Sequence, residues 1–262
     1  MHYSGFAAVA AWIVVAGATA PAAAQATDIA AAIEDLATAS RILADQGVVD
    51  AYGHVSIRDP RNPSRYLMSR SIAPARVTAA DIMEFDLDSN PIDRQGRGIF
   101  IERFIHGEVY KARPDVNAVV HTHSPTVVPF SVTQVPLRPM MHTASFLWKG
   151  VPVWEIRDVE AVTDLLVRNP TLGKSLAAFL GDKPVALMRG HGDVVVGKDV
   201  KQAVLRAVYT EVNARELAIA HGLGGPITFI SAEEGAFKDK QQNDEARTWD
   251  LWKERVTKKI EN

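Results

Sequence analysis

Apolar positions recur along this chain with two periods, one near 3.6 and one of 2, and the switches between them mark the elements. Ile29, Ile33, Leu36 and Leu43 share one helical face, so a helix is predicted over 28–46, capped by Thr27 and stopped by Gly47. Short apolar runs bounded by Pro, Asn and Gly turns follow at HVSIR (54–58), RYLMS (65–69), IMEFDL (82–87) and GIFI (98–101), each read as a strand. The helical period returns over 102–112 and stops before Arg113-Pro114, after which NAVVHTHS (117–124) reads as a buried strand. Further along, VPVWEI (151–156) predicts a strand, 159–168 and 171–180 predict helices, and 184–197 predicts two strands around a Gly-His-Gly turn. A long helix is expected over 199–221 and a charged, helical tail over 232–262, whose Trp249 and Trp252 are expected to pack at a subunit contact. With no internal repeat and no long linker, the pattern predicts a single three-layer α/β domain with a mixed sheet.

The first 24 residues stand apart from that domain. Phe6 to Ala18 is apolar and uncharged, too short for a bilayer span, and Ala22 and Ala24 form an A-x-A-like step. Residues 1–24 are therefore read as a cleaved signal peptide and 25–262 as the mature domain, which places the protein in a periplasm or outside the cell. The n-region, MHYSG, lacks Lys and Arg, so a mis-assigned start and a cytoplasmic protein is the alternative.

Composition narrows the chemistry. Lys and Arg total 29 against 31 Asp and Glu, a formal net charge of −2, which gives no electrostatic footprint for nucleic acid or for a membrane surface. A small-molecule partner is expected. The absence of cysteine removes disulfides, thiolate ligands and cysteine nucleophiles, so any metal must be held by His, Asp or Glu.

His121 and His123, two apart in a predicted strand, leave the same face and suit chelation of one ion, although the same spacing also serves a plain polar face. His191, flanked by Gly190 and Gly192 at a strand end, adds a third imidazole. Three neutral imidazoles with an open position make Zn²⁺, Mn²⁺ or Fe²⁺ a Lewis acid, and one such ion per subunit is expected on His121, His123 and His191. Glu102, at a predicted helix start, is either a further ligand or acid/base at that metal, or a carboxylate stabilised by free helix N–H groups. His106 lies one turn on and reads as a hydrogen-bonded partner or a proton carrier rather than a ligand.

These residues, with YGHVSIR (52–58), ExxxH (102–106), RPDVNAVVHTHS (113–124) and RGHG (189–192), resemble the class II aldolase/adducin family over residues 30–230. The resemblance implies an α/β/α domain with a mixed, mainly antiparallel sheet, Zn²⁺ on His121, His123 and His191, acid/base work by Glu102, and a homotetramer with sites at subunit interfaces. The family's aldolases carry Asn where this chain has His54, a hydroxyl and glycine cradle for phosphate where it has MSRSIAP (68–74) and IFIERF (99–104), and a tyrosine where Thr143 follows His142. Arg70, with Ser69 beside it, is expected to clamp a planar carboxylate, with His54 and His142 lining the pocket. The pattern thus resembles the branch of metal-dependent decarboxylases acting on hydroxylated aromatic or ring-cleaved carboxylates. The expected function is a divalent-metal-dependent carbon–carbon lyase, decarboxylating a small hydroxy- or oxo-substituted carboxylate through a metal-stabilised enolate. The alternatives are an aldolase, dehydratase or epimerase of a sugar derivative, an iron oxygenase, and a non-catalytic adducin-like scaffold.

Overall fold

The structure, a computed structural model, describes residues 22–241 and 245–261. The apolar stretch read as an export signal lies outside the described residues, and Ala22 and Ala24 fall in the first turn of helix α1 (Ala22–Asp45). That helix begins before Thr27, which is therefore not its cap, and Gly47 at φ 70° turns the chain out of it. Strands β1 (His54–Asp59), β2 (Asn62–Ser69) and β3 (Ile82–Asp86) form a meander, followed by α2 (Phe104–Ala112) and β4 (Ala118–Thr122). After the short α3 (Val127–Ser131) come β5 (Val153–Trp154), α4 (Pro170–Leu180), β6 (Val185–Met188) and β7 (Gly192–Gly197). Helices α5 (Val200–Leu223), α6 (Ala232–Asp239) and α7 (Glu245–Glu261) complete the chain.

The seven strands form one sheet in the order β3-β2-β1-β4-β7-β6-β5, antiparallel throughout except between β5 and β6. The central strands are valine runs because helices cover both faces, and alternation sends successive side chains to opposite sides. Val120 and Val195 join Leu36, Ile42 and Val204 in the core beneath α1 and α5, while Val119 and Val194 join Ile105 and Leu176 beneath α2 and α4. The expected three-layer α/β architecture is the one found.

Three expectations are corrected. Residues 98–101 are not a strand: they run irregularly into a 3-10 turn, Ile101–Arg103, ahead of α2. Residues 159–168 are not a helix, because Thr163 and Asp164 side chains accept the backbone N–H groups of Leu165 and Leu166 at 3.0 and 3.1 Å. Such local bonds offer the backbone a competitor to the helical ladder. Trp249 and Trp252 do not face outward to another subunit: α7 folds back on α1 and α5, leaving them 2% and 6% exposed in the chain's own core. Trp249→Ala should therefore lower the unfolding free energy by about 3–5 kcal/mol, read from urea unfolding. A change in oligomeric state with unaltered chain stability would restore the subunit-contact reading.

Candidate metal centre

Register brings the site together. His54 on β1 stands opposite His121 on β4, and Asp193 on β7 stands opposite Thr122, so the three strands are locked side by side. His123 follows the last residue of β4, and the tight turn from β6 to β7 lifts His191 over it. That turn admits only glycine at its second flank: a Cβ on Gly192 would lie 1.8 Å from the Thr122 carbonyl oxygen. Glu102 enters from the 3-10 turn before α2.

Donor atoms of Glu102, His121, His123 and His191 lie within 4.8 Å of one another. His123 Nε2 is 3.2 Å from His121 Nε2 and 2.9 Å from His191 Nε2, and Glu102 Oε2 is 3.4 Å from both of the latter nitrogens. The tautomers follow from the backbone. His121 Nδ1–H donates to the Asp193 carbonyl at 3.0 Å and His191 Nδ1–H to the Leu165 carbonyl at 2.7 Å, so both neutral rings turn an Nε2 lone pair to the same point. Lone pairs so close repel unless a cation stands among them, and an N₃O donor set suits a divalent transition metal. The residues fit the ion that their pattern predicts.

Burial would raise the Glu102 carboxyl, but His121 and His191 beside it hold it well below the usual carboxylate range. Burial, together with His121 and His191, pushes His123 down to about 4, leaving a neutral ligand at physiological pH. Burial also lowers His191, yet the adjacent Glu102 outweighs it and raises this imidazole.

The segment 163–167, read from sequence as helix, turns out to support the centre. Leu165, in the left-handed region at φ 70°, gives its carbonyl to His191, and Val167 N–H donates to Glu102 Oε1 at 2.9 Å. No periodicity signals that role; the turn-forming side chains Thr163 and Asp164 were its only trace in the sequence.

Beside the donors opens a cavity of about 560 Å³, lined by Glu102, His123 and His54 together with Tyr52, Ser71 and the apolar Ile72, Ile99, Phe100, Ile101 and Leu166. Phe100 packs on the His54 ring at 4.5 Å, and Tyr52 stacks on His123 at 5.9 Å. His106 is not at the cavity: it is fully buried behind His54, where burial pushes it down to about 3. Arg70 and Ser69 are not brought to it either. Asp81, itself bound by Thr78, takes the Arg70 Nε–H at 2.6 Å, and Ser71 lines the cavity in place of Ser69. His142 sits exposed in a separate depression beside Tyr209 and Thr248. Sequence reasoning passed over Tyr52 and Phe100, though Tyr52 sits inside the quoted YGHVSIR segment.

The model of the Class II Aldolase and Adducin N-terminal domain matches residues 34–217. The chain belongs to that family. It is 36% identical over 235 residues to "Decarboxylase tropJ" of Talaromyces stipitatus, covering 80% of this chain and 88% of that one. It is 33% identical over 237 residues to the 3,4-dihydroxyphthalate decarboxylase of Arthrobacter keyseri, covering 85% and 88%. Among solved structures, L-fuculose 1-phosphate aldolase from Glaciozyma antarctica superposes with a TM-score of 0.73 at 22% identity, covering 91% of this chain and 93% of that one, which shows the shared aldolase fold.

Two outcomes test the centre. His191→Ala should lose the zinc, manganese or iron that the parent family member retains through dialysis, measured by elemental analysis; equal metal content in both would remove His191 from the ligand set. Asp193 tests the buried support: burial, with Glu211 nearby, pushes its carboxyl from 3.8 up to about 7. Its folded form therefore holds a proton that the unfolded chain has lost, so its contribution to stability falls as pH rises from about 4 to 7. In chelator-treated protein, Asp193→Asn should gain Tm relative to the parent on going from pH 5 to pH 8; a constant difference would contradict the raised carboxyl.

Proposed function

We propose that the chain is a divalent-metal-dependent carbon–carbon lyase that decarboxylates a small hydroxy-substituted carboxylate, with hydroxylated aromatic acids the favoured class. One observation carries the reading: the donor cluster opens onto a cavity with apolar walls and, among its lining residues, no lysine or arginine. The aliphatic walls at Ile72, Ile99, Ile101 and Leu166 offer the hydroxyl and phosphate oxygens of a sugar phosphate no side-chain hydrogen bond, whereas a flat ring finds Phe100, Tyr52 and the isoleucines. Loss of CO₂ spreads the compact charge of a carboxylate over the ring system and releases a neutral, apolar molecule, a change that low-dielectric walls favour. The decarboxylase names of the two relatives support the same reaction, and the intact donor set argues against a scaffold that has lost its chemistry.

His121, His123 and His191 would hold the ion, with Glu102 beside it. A divalent cation bound there would supply Lewis acidity toward substrate oxygens. Glu102 handles the proton. As a carboxylate beside the donor imidazoles, it accepts the proton of the substrate hydroxyl and returns it to the ring carbon, where the electron pair of the broken C–C bond remains. Val167 N–H fixes Oε1, which leaves Oε2 as the oxygen on the side of the imidazoles.

The test is an assay of CO₂ release from a panel of hydroxylated aromatic acids, 3,4-dihydroxyphthalate included, with fuculose 1-phosphate as the comparison. Release should require added Zn²⁺ or Mn²⁺, and Glu102→Gln should lower kcat by about 10²–10⁴-fold with metal still bound. Aldehyde release from the sugar phosphate, with no CO₂ from any acid, would overturn the reading.

A further inference from the structure

Behind the cavity wall lies a line of buried polar groups that the proton transfer above does not use. His54 Nδ1 is 2.7 Å from His106 Nε2, His106 Nδ1 is 2.6 Å from Ser56 Oγ, and Ser56 Oγ is 2.8 Å from the Tyr110 hydroxyl. The sheet and α2 make this line: Ser56 follows His54 on the same face of β1, and His106 and Tyr110 are one turn apart on the helix above it. His106 and Ser56 are fully enclosed and Tyr110 is 1% exposed, so bulk solvent does not reach them.

Each of the three contacts holds one proton, and a neutral His106 points its N–H either inward, to Ser56, or outward, to His54. Run inward, His54 Nδ1–H donates to His106 and His106 Nδ1–H to Ser56, which leaves the hydroxyl protons of Ser56 and Tyr110 with one contact between them. Whichever of the two donates, the other's O–H is then a buried donor with no acceptor in the line. Run outward, Tyr110 donates to Ser56, Ser56 to His106 Nδ1, and His106 Nε2–H to His54 Nδ1, and every member is satisfied. An orphaned buried donor costs its full desolvation, so the outward direction wins. It leaves one proton over, on Nε2 of His54. That nitrogen makes no hydrogen bond within the described residues, and its ring lines the cavity.

We infer that the Tyr110–Ser56–His106 line fixes His54 as a neutral imidazole presenting its Nε2–H to the cavity, where it binds an anionic substrate oxygen, carboxylate or phenolate, as a hydrogen-bond donor. The identity of the oxygen rests on the decarboxylase reading; the direction of the line does not. His54 is on this account a substrate-orienting residue rather than a base, and it takes the anchoring part that Asp81 denies to Arg70. Tyr110, which never meets the substrate, is a positioning residue acting through two intermediates.

Full-length, zinc-loaded protein labelled with ¹⁵N-histidine tests the direction by NMR, with the His54 signals assigned by their loss in His54→Asn. His54 Nε2 should appear as a protonated, pyrrole-type nitrogen and Nδ1 as an unprotonated, pyridine-type one. The reverse pattern, or two protonated nitrogens, would overturn the proposal whether or not a substrate is known. In Tyr110→Phe, which removes only the terminal donor, the His54 signals should shift toward a mixture of tautomers; unchanged signals would show that the line does not set the direction. In the CO₂ assay, His54→Ala should raise KM about 10- to 100-fold, and His54→Asn, which keeps an amide N–H, should recover part of that loss. A fall in kcat with unaltered KM in both variants would mark His54 as a proton-transfer group and overturn the donor role. Absence of CO₂ release in the parent protein would count against the decarboxylase reading alone, leaving the NMR result to stand.

Discussion

Mutual repulsion among lone pairs is the constraint around which this molecule is organised. Three imidazole nitrogens and a carboxylate oxygen are held within 4.8 Å, an arrangement that no isolated set of side chains would adopt. It persists because three of the four donors are anchored from behind by backbone groups. The His121 and His191 rings are pinned by backbone carbonyls, and Glu102 is pinned by a backbone N–H. The strands supplying those backbone groups are themselves fixed by pairing across the middle of the sheet. Preorganisation of this kind transfers the cost of assembling the site to the folding of the whole domain.

What sequence could reveal followed the same division. The donors lie on or next to regular strands and on a glycine-flanked turn, so His121, His123 and His191 announce themselves by spacing, and the valine alternation of β4 and β7 shows which strands are central. Glu102 and His106 are legible as one helical face, although their separate fates, one at the cavity and one behind it, depend on the register of β1 against β4. The irregular segments are where reading failed. Ile99 to Ile101 has a strand's composition and no strand partner, and 159–168 has a helix's spacing but side chains that capture its N–H groups. Arg70 shows a different limit: its charge suits a carboxylate, but Asp81, eleven residues away in sequence, reaches it first. The tail tryptophans were visible as a pair on one face, but the partner surface that buries them, made by α1 and α5, belongs to distant parts of the chain.

The buried line behind His54 illustrates how a hydrogen-bond ledger can settle a question that electron-poor hydrogens hide. Ser56 and Tyr110 bring two hydroxyl protons to the inner end, and only the outward run gives both of them an acceptor within the line. The imidazole at position 54 thus reaches inward through His106 and Ser56 to Tyr110.

The separation between where the donors sit and where the cavity walls sit has an evolutionary consequence. The three imidazoles depend on strand pairing and a constrained turn, whereas Ile72, Ile99 and Phe100 ride on segments with no regular hydrogen-bond ladder to preserve. Changes in those segments reshape what fits without disturbing the imidazoles. A lineage built on this plan can therefore exchange substrates by drifting in two short loops, while the imidazole cluster stays fixed by the sheet.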